Sequence, residues 1–539
     1  MRSLRNKLAP RPLAGLAALA ALIPLSLGSV HCSSADDDDD DSTNGFYPGR
    51  NDGGAGSPSG PPSNGGGRSG GSNSGGGGPG VDRDGPGQPE LPSEAPACAA
   101  LDSTKPLELF LSSDDSNSMA SPVIARRMIR DQGQVPSARV LRTYEFLNYY
   151  NVNYGNVAPG TLGVDAQLRV NAAGEFELQI GVQAPPNETR RPMTLTFVLD
   201  TSGSMAGRPF ELMLEAVRAA ATQLRAGDVV SLVTWNTENR ILLSGRTVEG
   251  PNDGALLSAL NTLRADGGTD LHGGLVEGYR LAEAHDGLGR VNRIIVISDG
   301  VANVGVTDEQ LIAEKSNSEN KEGIYLVGVG VGEGINDTLM DTVTDAGNGA
   351  YIYLDSKDEA QRMLGQRFSE TVEVAARNVQ VKARLPWYLS MRRFYGEEYS
   401  TEPYRVKPQH LAPGDSMVIS QVLASCAGAP VVDADPIEVV ADWVEPLTYQ
   451  KKNVAFASTV GALKASTRAE LARGKAIIAY AEWLKAYASA DPDTRAGARN
   501  VLALVDAADV TGTDAAFVEI RDLVTRLEPS AGDAPSVEP

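Results

Sequence analysis

From residue 191 to about 370, short apolar runs alternate with amphipathic stretches. The runs at 194–200, 229–235, 294–298 and 324–331 read as strands. Between the first two, 209–226 carries Leu212, Leu214, Val217, Ala221 and Leu224 as a stripe at helical spacing. The stretches 253–263, 273–284, 308–316 and 337–344 read as further helices. Strands alternating with helices imply βαβ units with right-handed crossovers. The expected fold is therefore α/β, with a doubly wound, mostly parallel sheet.

The flanks have other periods. Ala125 to Pro136 reads as a helix closed by Gly133 and Pro136. Val140 to Tyr150 follows as a second helix, with Val140, Tyr144, Leu147 and Tyr150 near one face. Leu168 to Val182 alternates apolar and polar residues, as in a half-buried strand pair. After 371 the period falls to two. Val379 to Leu385 alternates strictly, and 416–424 and 437–443 are strand-like. Residues 466–487 and 495–528 read as two helices separated at Asp491-Pro492-Asp493. Tyr480, Trp483, Leu484 and Tyr487 are read as core at helical spacing rather than as a partner-docking stripe. The segments expected are 101–190 as a small α+β domain, 191–370 as the α/β domain, 371–465 as a β-rich extension and 466–530 as C-terminal helices.

The first hundred residues have no such period. Arg2, Arg5, Lys7 and Arg11 precede the apolar stretch Leu13 to Leu27, the layout of an export signal over 1–31. Ser29-Val30-His31-Cys32 resembles a bacterial lipoprotein processing site with Cys32 as lipid acceptor, although His31 stands where a small residue is usual. Residues 32–100 combine the run Asp36 to Asp41 with Gly-, Ser- and Pro-rich sequence, which cannot bury a core and reads as a disordered tether. A flexible chain of that kind reaches roughly 40–50 Å. The expected location is the bacterial cell envelope, by a lipid anchor in the membrane, facing the periplasm or the outer surface. No later run is apolar and long enough to span a membrane.

The 539-residue chain has a formal charge of −21, which argues against nucleic acid as a partner. It has three cysteines. With Cys32 lipidated, Cys98 and Cys426 remain either as one disulfide in an oxidising compartment or as two thiols.

Three separated fragments carry the chemistry. They are Asp200-Thr201-Ser202-Gly203-Ser204, Gly267-Gly268-Thr269 and Ser298-Asp299-Gly300. A strand ending in Asp200 delivers its carboxylate to the carboxyl edge of a parallel sheet, where open α/β sheets bind ligands. Gly203 permits a tight turn that folds Ser202 and Ser204 toward the same point. Carboxylates and hydroxyls are hard oxygen donors, suited to Mg²⁺, Mn²⁺ or Ca²⁺. The fragments contain no Cys or His, which argues against zinc. In this order, with these flanks, they resemble the metal-ion-dependent adhesion site of the von Willebrand factor type A (vWA) family. The resemblance implies Asp200, Ser202 and Ser204 as first-loop ligands, Thr269 as the second-loop ligand, and Asp299 acting directly or through water. It also implies a divalent cation, Mg²⁺ before Mn²⁺ or Ca²⁺, and a protein partner that offers an acidic side chain. The flanking segments resemble bacterial vWA-containing lipoproteins, from Asp115-Ser116-Asn117 through Glu145-Phe146-Leu147-Asn148-Tyr149 and more diffusely in the C-terminal extension.

Other chemistries find less support. Gly328-Val329-Gly330-Val331-Gly332 lacks the Lys-Ser/Thr of a phosphate loop and the G-x-G-x-x-G spacing, so no nucleotide is expected. The four histidines, 31, 272, 285 and 410, make no catalytic signature, and no G-x-S-x-G or H-E-x-x-H motif occurs. His272, three residues after Thr269, reads as the start of a helix. The expected role is binding rather than catalysis. The alternatives are a hydrolase using metal-activated water and an envelope scaffold whose metal only stabilises the fold.

Overall fold

The computed structural model describes residues 97–528, apart from 115–116, 187–189, 288, 301–322, 428, 467 and 490–493. The export signal, most of the tether, Cys32 and the helix expected at 308–316 lie outside the described residues.

One sheet orders its strands Arg240–Thr247, Val229–Trp235, Met193–Asp200, Val291–Ser298, Tyr325–Val331 and Tyr351–Leu354. The first pair is antiparallel and the remaining pairs are parallel. Every residue of Met193–Asp200 is buried, because helices cover both faces of the sheet. Leu195, Phe197 and Leu199 pack in one core with Leu212, Ala216 and Val217 of the helix Arg208–Ala221. Val198 points the other way, against Leu275 and Tyr279 of the helix Leu271–Ala284. The alternation of strand side chains thus feeds two cores, and the fold is α/β and doubly wound.

The flanking segments do not form separate bodies. Gly163–Val170 and Phe176–Gln183 make a hairpin, and Ser416–Ser425 pairs along Phe176–Gln183 for eight residues. Leu389–Phe394 completes that four-stranded sheet. Leu107–Ser112 pairs with Ala376–Leu385, which continues to Pro436–Val444 and Lys451–Thr459. The two sheets share one apolar core that includes Leu111, Leu178, Ile180, Val381, Ile419 and Val439. The segments 101–190 and 371–465, set apart in the sequence, are two halves of one β-sandwich, and the α/β domain is inserted between them. All described residues belong to one compact unit.

The C-terminal helices are Ala469–Ala488, Thr494–Ala508 and Ala515–Leu527. The continuous helix expected over 495–528 is broken. Gly512 sits at φ 68, Asp509 accepts from the Thr513 and Asp514 amides, and Asp514 caps the last helix. Tyr480, Trp483 and Leu484 are buried in the core, as expected. Among the described residues no helix is long and apolar enough to cross a membrane.

Cys98 and Cys426 are joined, with Cα atoms 5.1 Å apart. Exchanging both for serine should cost about 2–4 kcal/mol of stability. Urea unfolding with and without reductant checks this: reductant should lower the midpoint of the wild type and leave the double serine variant unmoved.

A pH effect arises where the helix Thr143–Tyr150 meets the sandwich. Asp415 accepts from the Asn151 side chain at 3.0 Å and from the Ser416 amide at 2.8 Å. Burial pushes its carboxyl up from 3.8 to about 6, and the Arg367 charge only partly opposes this. The folded state therefore binds a proton more tightly than the unfolded chain. This group's contribution to stability falls as pH rises through 6 and is recovered toward pH 4. Asp415→Asn should exceed the wild type by about 1–3 kcal/mol at pH 7.5, with the difference vanishing near pH 4. Equal stability of the two proteins at pH 7.5 would refute this.

Candidate functional site

The chain leaves the central strand at Asp200, which is 1% exposed. The Thr201 amide donates to the Trp235 carbonyl at 2.9 Å, and the Thr201 carbonyl accepts from the Asp266 amide at 2.8 Å. A single turn, Gly203–Met205, follows, anchored by the fully buried Met205. The turn brings the Ser202 amide to Asp200 Oδ1 at 2.9 Å and sets Ser202 Oγ 3.1 Å from Ser204 Oγ.

The second loop docks on the first. The Gly203 amide donates to the Gly267 carbonyl at 3.1 Å. A Cβ at Gly203 would lie 3.3 Å from that oxygen, tight enough to press the loops apart. Gly267 itself has φ 83, a backbone that glycine adopts without strain. Thr237 Oγ1 accepts the Gly268 amide at 2.7 Å. Asp270 then caps the helix Leu271–Ala284 through the Gly273 amide at 3.0 Å. These contacts fix Thr269 between two anchored neighbours, at the solvent-exposed rim.

The third loop completes the floor. Ser298 Oγ donates to Asp200 Oδ2 at 2.7 Å and accepts from the Gly300 amide at 2.9 Å. Asp299, 5% exposed, comes next and is close enough for its charge to act on Asp200. Gly332 backs it, and its carbonyl accepts from the Tyr353 hydroxyl at 2.6 Å. Burial raises the Asp200 carboxyl above its usual range. Hydrogen bonds from Ser202 and Ser298 oppose the shift, and the Asp299 charge adds to it.

Two buried carboxylates thus form the floor, with Ser202 beside them, and Ser204 and Thr269 stand exposed above. Two neighbouring carboxylates out of water are costly without a cation. Among the described residues no group of three or more His, Cys, Asp or Glu side chains is placed to hold a metal ion, so an ion here would lean on hydroxyl and water oxygens. That donor set suits a hard divalent cation that keeps several waters.

Ser298 stood in the third fragment without a role assigned to it, and Thr237 was not singled out in the sequence. Ser298 had a readable signal, a hydroxyl ending an otherwise apolar strand beside a candidate ligand. Thr237 had none, since it acts only through a loop thirty-one residues away. His272 is exposed at the start of its helix, consistent with the capping region expected for it.

Residues 194–366 match the family profile of the von Willebrand factor type A domain. The chain is 27% identical over 331 residues to the uncharacterized protein YfbK of Escherichia coli, covering 58% of this chain and 56% of that one. It is 26% identical over 232 residues to human inter-alpha-trypsin inhibitor heavy chain H2, covering 39% of this chain and 24% of that one. The chain therefore spans about half the length of the first relative, and less of the second. Among solved structures, a von Willebrand factor type A protein from Catenulispora acidiphila aligns with 70% of this chain and all of its own, at 15% identity and a TM-score of 0.44.

Proposed function

Since residues 194–366 form a von Willebrand factor type A domain, we propose that this chain is a metal-dependent protein-binding module. Asp200, Ser202, Ser204, Thr269 and Asp299 would hold a divalent cation, Mg²⁺ in the first instance. The bound ion would offer a coordination position to an acidic side chain of a partner protein. The observation that supports this reading is the junction of the three loops at Asp200. Ser202 and Ser298 bind its two oxygens, while the Gly203–Gly267 bond fixes the rim that carries Thr269.

The residues divide the work by depth. Asp200 and Asp299, buried at the floor, supply charge. Ser204 and Thr269, at the rim, would supply neutral oxygens and leave a coordination position open to water or to an outside carboxylate. Gly203 and Gly267 keep the loops close enough to share one ion. The export pattern and Cys32 make the cell envelope the proposed setting, with a lipid anchor holding the folded head at a membrane.

Isothermal titration of the full chain with MgCl2 and MnCl2, followed by capture of envelope proteins in Mg²⁺ or in chelator, tests the reading. Binding of one ion, and partners retained by wild type in Mg²⁺ but not by Asp200→Ala, is the expected result. Partners captured equally in chelator would leave the metal a structural role and overturn the reading. Hydrolytic turnover of captured material in Mg²⁺ would favour a hydrolase instead.

A further inference from the structure

The helix Ala469–Ala488 lies across the four-stranded sheet and touches it where the Gln179 side chain donates to the Glu470 carbonyl at 2.9 Å. Between them is a cavity of about 390 Å³, within the range of small-ligand sites. Its walls are chiefly carbon, from Val422, Ile478, Trp483, Val501 and Leu504. A second space of about 450 Å³ opens beside it and shares Leu471 and Lys475 with the first. The combined groove follows the helix from Leu471 to Trp483, a run of about 18 Å at the helical rise. It is far from the metal loops in sequence, and its residues belong to the β-sandwich and the C-terminal helices.

Charge is distributed unevenly along it. Arg169, Arg468 and Lys475 line the second space, and Arg393 stands at the wall of the first. The acidic side chains are Glu177 and Glu482. Both are already engaged: Glu177 takes Arg169 at 2.7 Å and Lys475 at 2.9 Å, and Glu482 takes Lys485 at 2.9 Å. Arg393 is engaged by the Tyr395 side chain and by the Glu482 and Glu175 charges, whereas among the described residues no carboxylate lines the second space, where Arg468 stands. The groove therefore carries surplus positive charge at its mouth, in a chain whose formal charge is −21. A largely apolar groove entered past Arg468 and Lys475 is complementary to a molecule with one apolar tail and an anionic head.

We infer that this groove binds a single-chain amphiphile with a carboxylate head, the tail lying between Val422 and Trp483 and the head reaching Arg468 and Lys475. Trp483 and the branched aliphatic side chains would exclude water from the tail. A short carboxylate lacks the apolar area needed to bind here, and an amine of equal length meets like charge. The proposal is independent of the metal site.

The test is calorimetric titration of the full chain, below the micelle concentration, with dodecanoate, dodecylamine and butyrate, in Mg²⁺ and again in chelator. Dodecanoate should bind saturably and at least about tenfold tighter than dodecylamine, a difference of about 1.4 kcal/mol. Butyrate should not bind, and chelator should change nothing. Ala479→Trp, which fills the chamber from a partly buried position on its wall, should weaken dodecanoate at least about tenfold. Arg468→Glu at the mouth should weaken dodecanoate and not dodecylamine, with circular dichroism confirming that both variants are folded. Equal binding of the two twelve-carbon probes, no binding of dodecanoate, or wild-type affinity in both variants would overturn the proposal.

Discussion

Asp200→Asn protein should show no gain in stability on adding MgCl2, whereas the wild type should gain about 2.7 kcal/mol at a hundredfold excess over its dissociation constant. The substitution keeps the size of the side chain and removes its charge. The amide oxygen can still accept from the Ser202 amide, and the amide nitrogen can face Ser298 Oγ, whose hydroxyl rotates to accept. The fold therefore survives. Without metal the variant should be at least as stable as the wild type at neutral pH, because burial disfavours the Asp200 charge and the Asp299 charge adds to that cost. A ligand gain lost alongside an unharmed apo-protein separates this position from a structural one. Thermal unfolding at several Mg²⁺ concentrations reads both quantities. The same Mg²⁺ shift in the two proteins would place the cation elsewhere.

The largest expected loss of stability is at Arg126. Its guanidinium is 4% exposed and makes a two-pronged contact with Asp355, at 2.7 and 2.8 Å. It also donates to Glu359 at 2.9 Å and to the Tyr149 hydroxyl at 2.6 Å, and it reaches Glu519 at 3.2 Å. Four segments thus converge on this side chain of the helix Ala120–Gln132: the helices Thr143–Tyr150, Lys357–Gln361 and Ala515–Leu527, and the end of the α/β sheet. Arg126→Met leaves the carboxylates of Asp355 and Glu359 buried without that cation. The cost should be about 3–5 kcal/mol. Arg126→Lys keeps the charge but cannot make the two-pronged contact, and should fall between the two proteins. Adding Asp355→Asn and Glu359→Gln to the methionine variant should recover part of the loss, since the stranded charges are then gone. Urea unfolding gives all four values, and a methionine cost under about 1 kcal/mol would show that the charges are solvated rather than locked.

The sheet and the three loops at its edge were legible because short-range rules dictate them. Leu195 to Leu199 is apolar on both faces, so it had to be an inner strand, and Asp200 had to emerge at its end. Gly203 and Gly267 mark the turns that bring the donors together. Less could be read wherever long-range pairing decides the outcome. Nothing local announces that Leu107–Ser112 pairs with Ala376–Leu385, so one sandwich looked like two segments. The edge strand Arg240–Thr247 escaped because its register against Val229–Trp235 shifts twice and Ile241 is 45% exposed, which spoils the alternation. The break at 509–514 was missed for the opposite reason. Apolar residues recur at helical spacing on both sides of it, and the turn signal in Thr511-Gly512-Thr513-Asp514 was outweighed by that period.

Insertion of the α/β domain into the sandwich also sets an order of assembly on a chain made from its N-terminus. Strands 193–354 pair among themselves, so the inserted domain can close as soon as it has been delivered. Leu107–Ser112 emerges before it and finds its partner, Ala376–Leu385, only after the insert has passed. Cys98 waits longer still, for Cys426, 328 residues downstream. Throughout that interval the first strand is an unpaired apolar edge of the kind that recruits other chains. The molecule is therefore most vulnerable to aggregation while its α/β domain is already complete, and the strand at greatest risk is protected only by residues made more than 260 positions later.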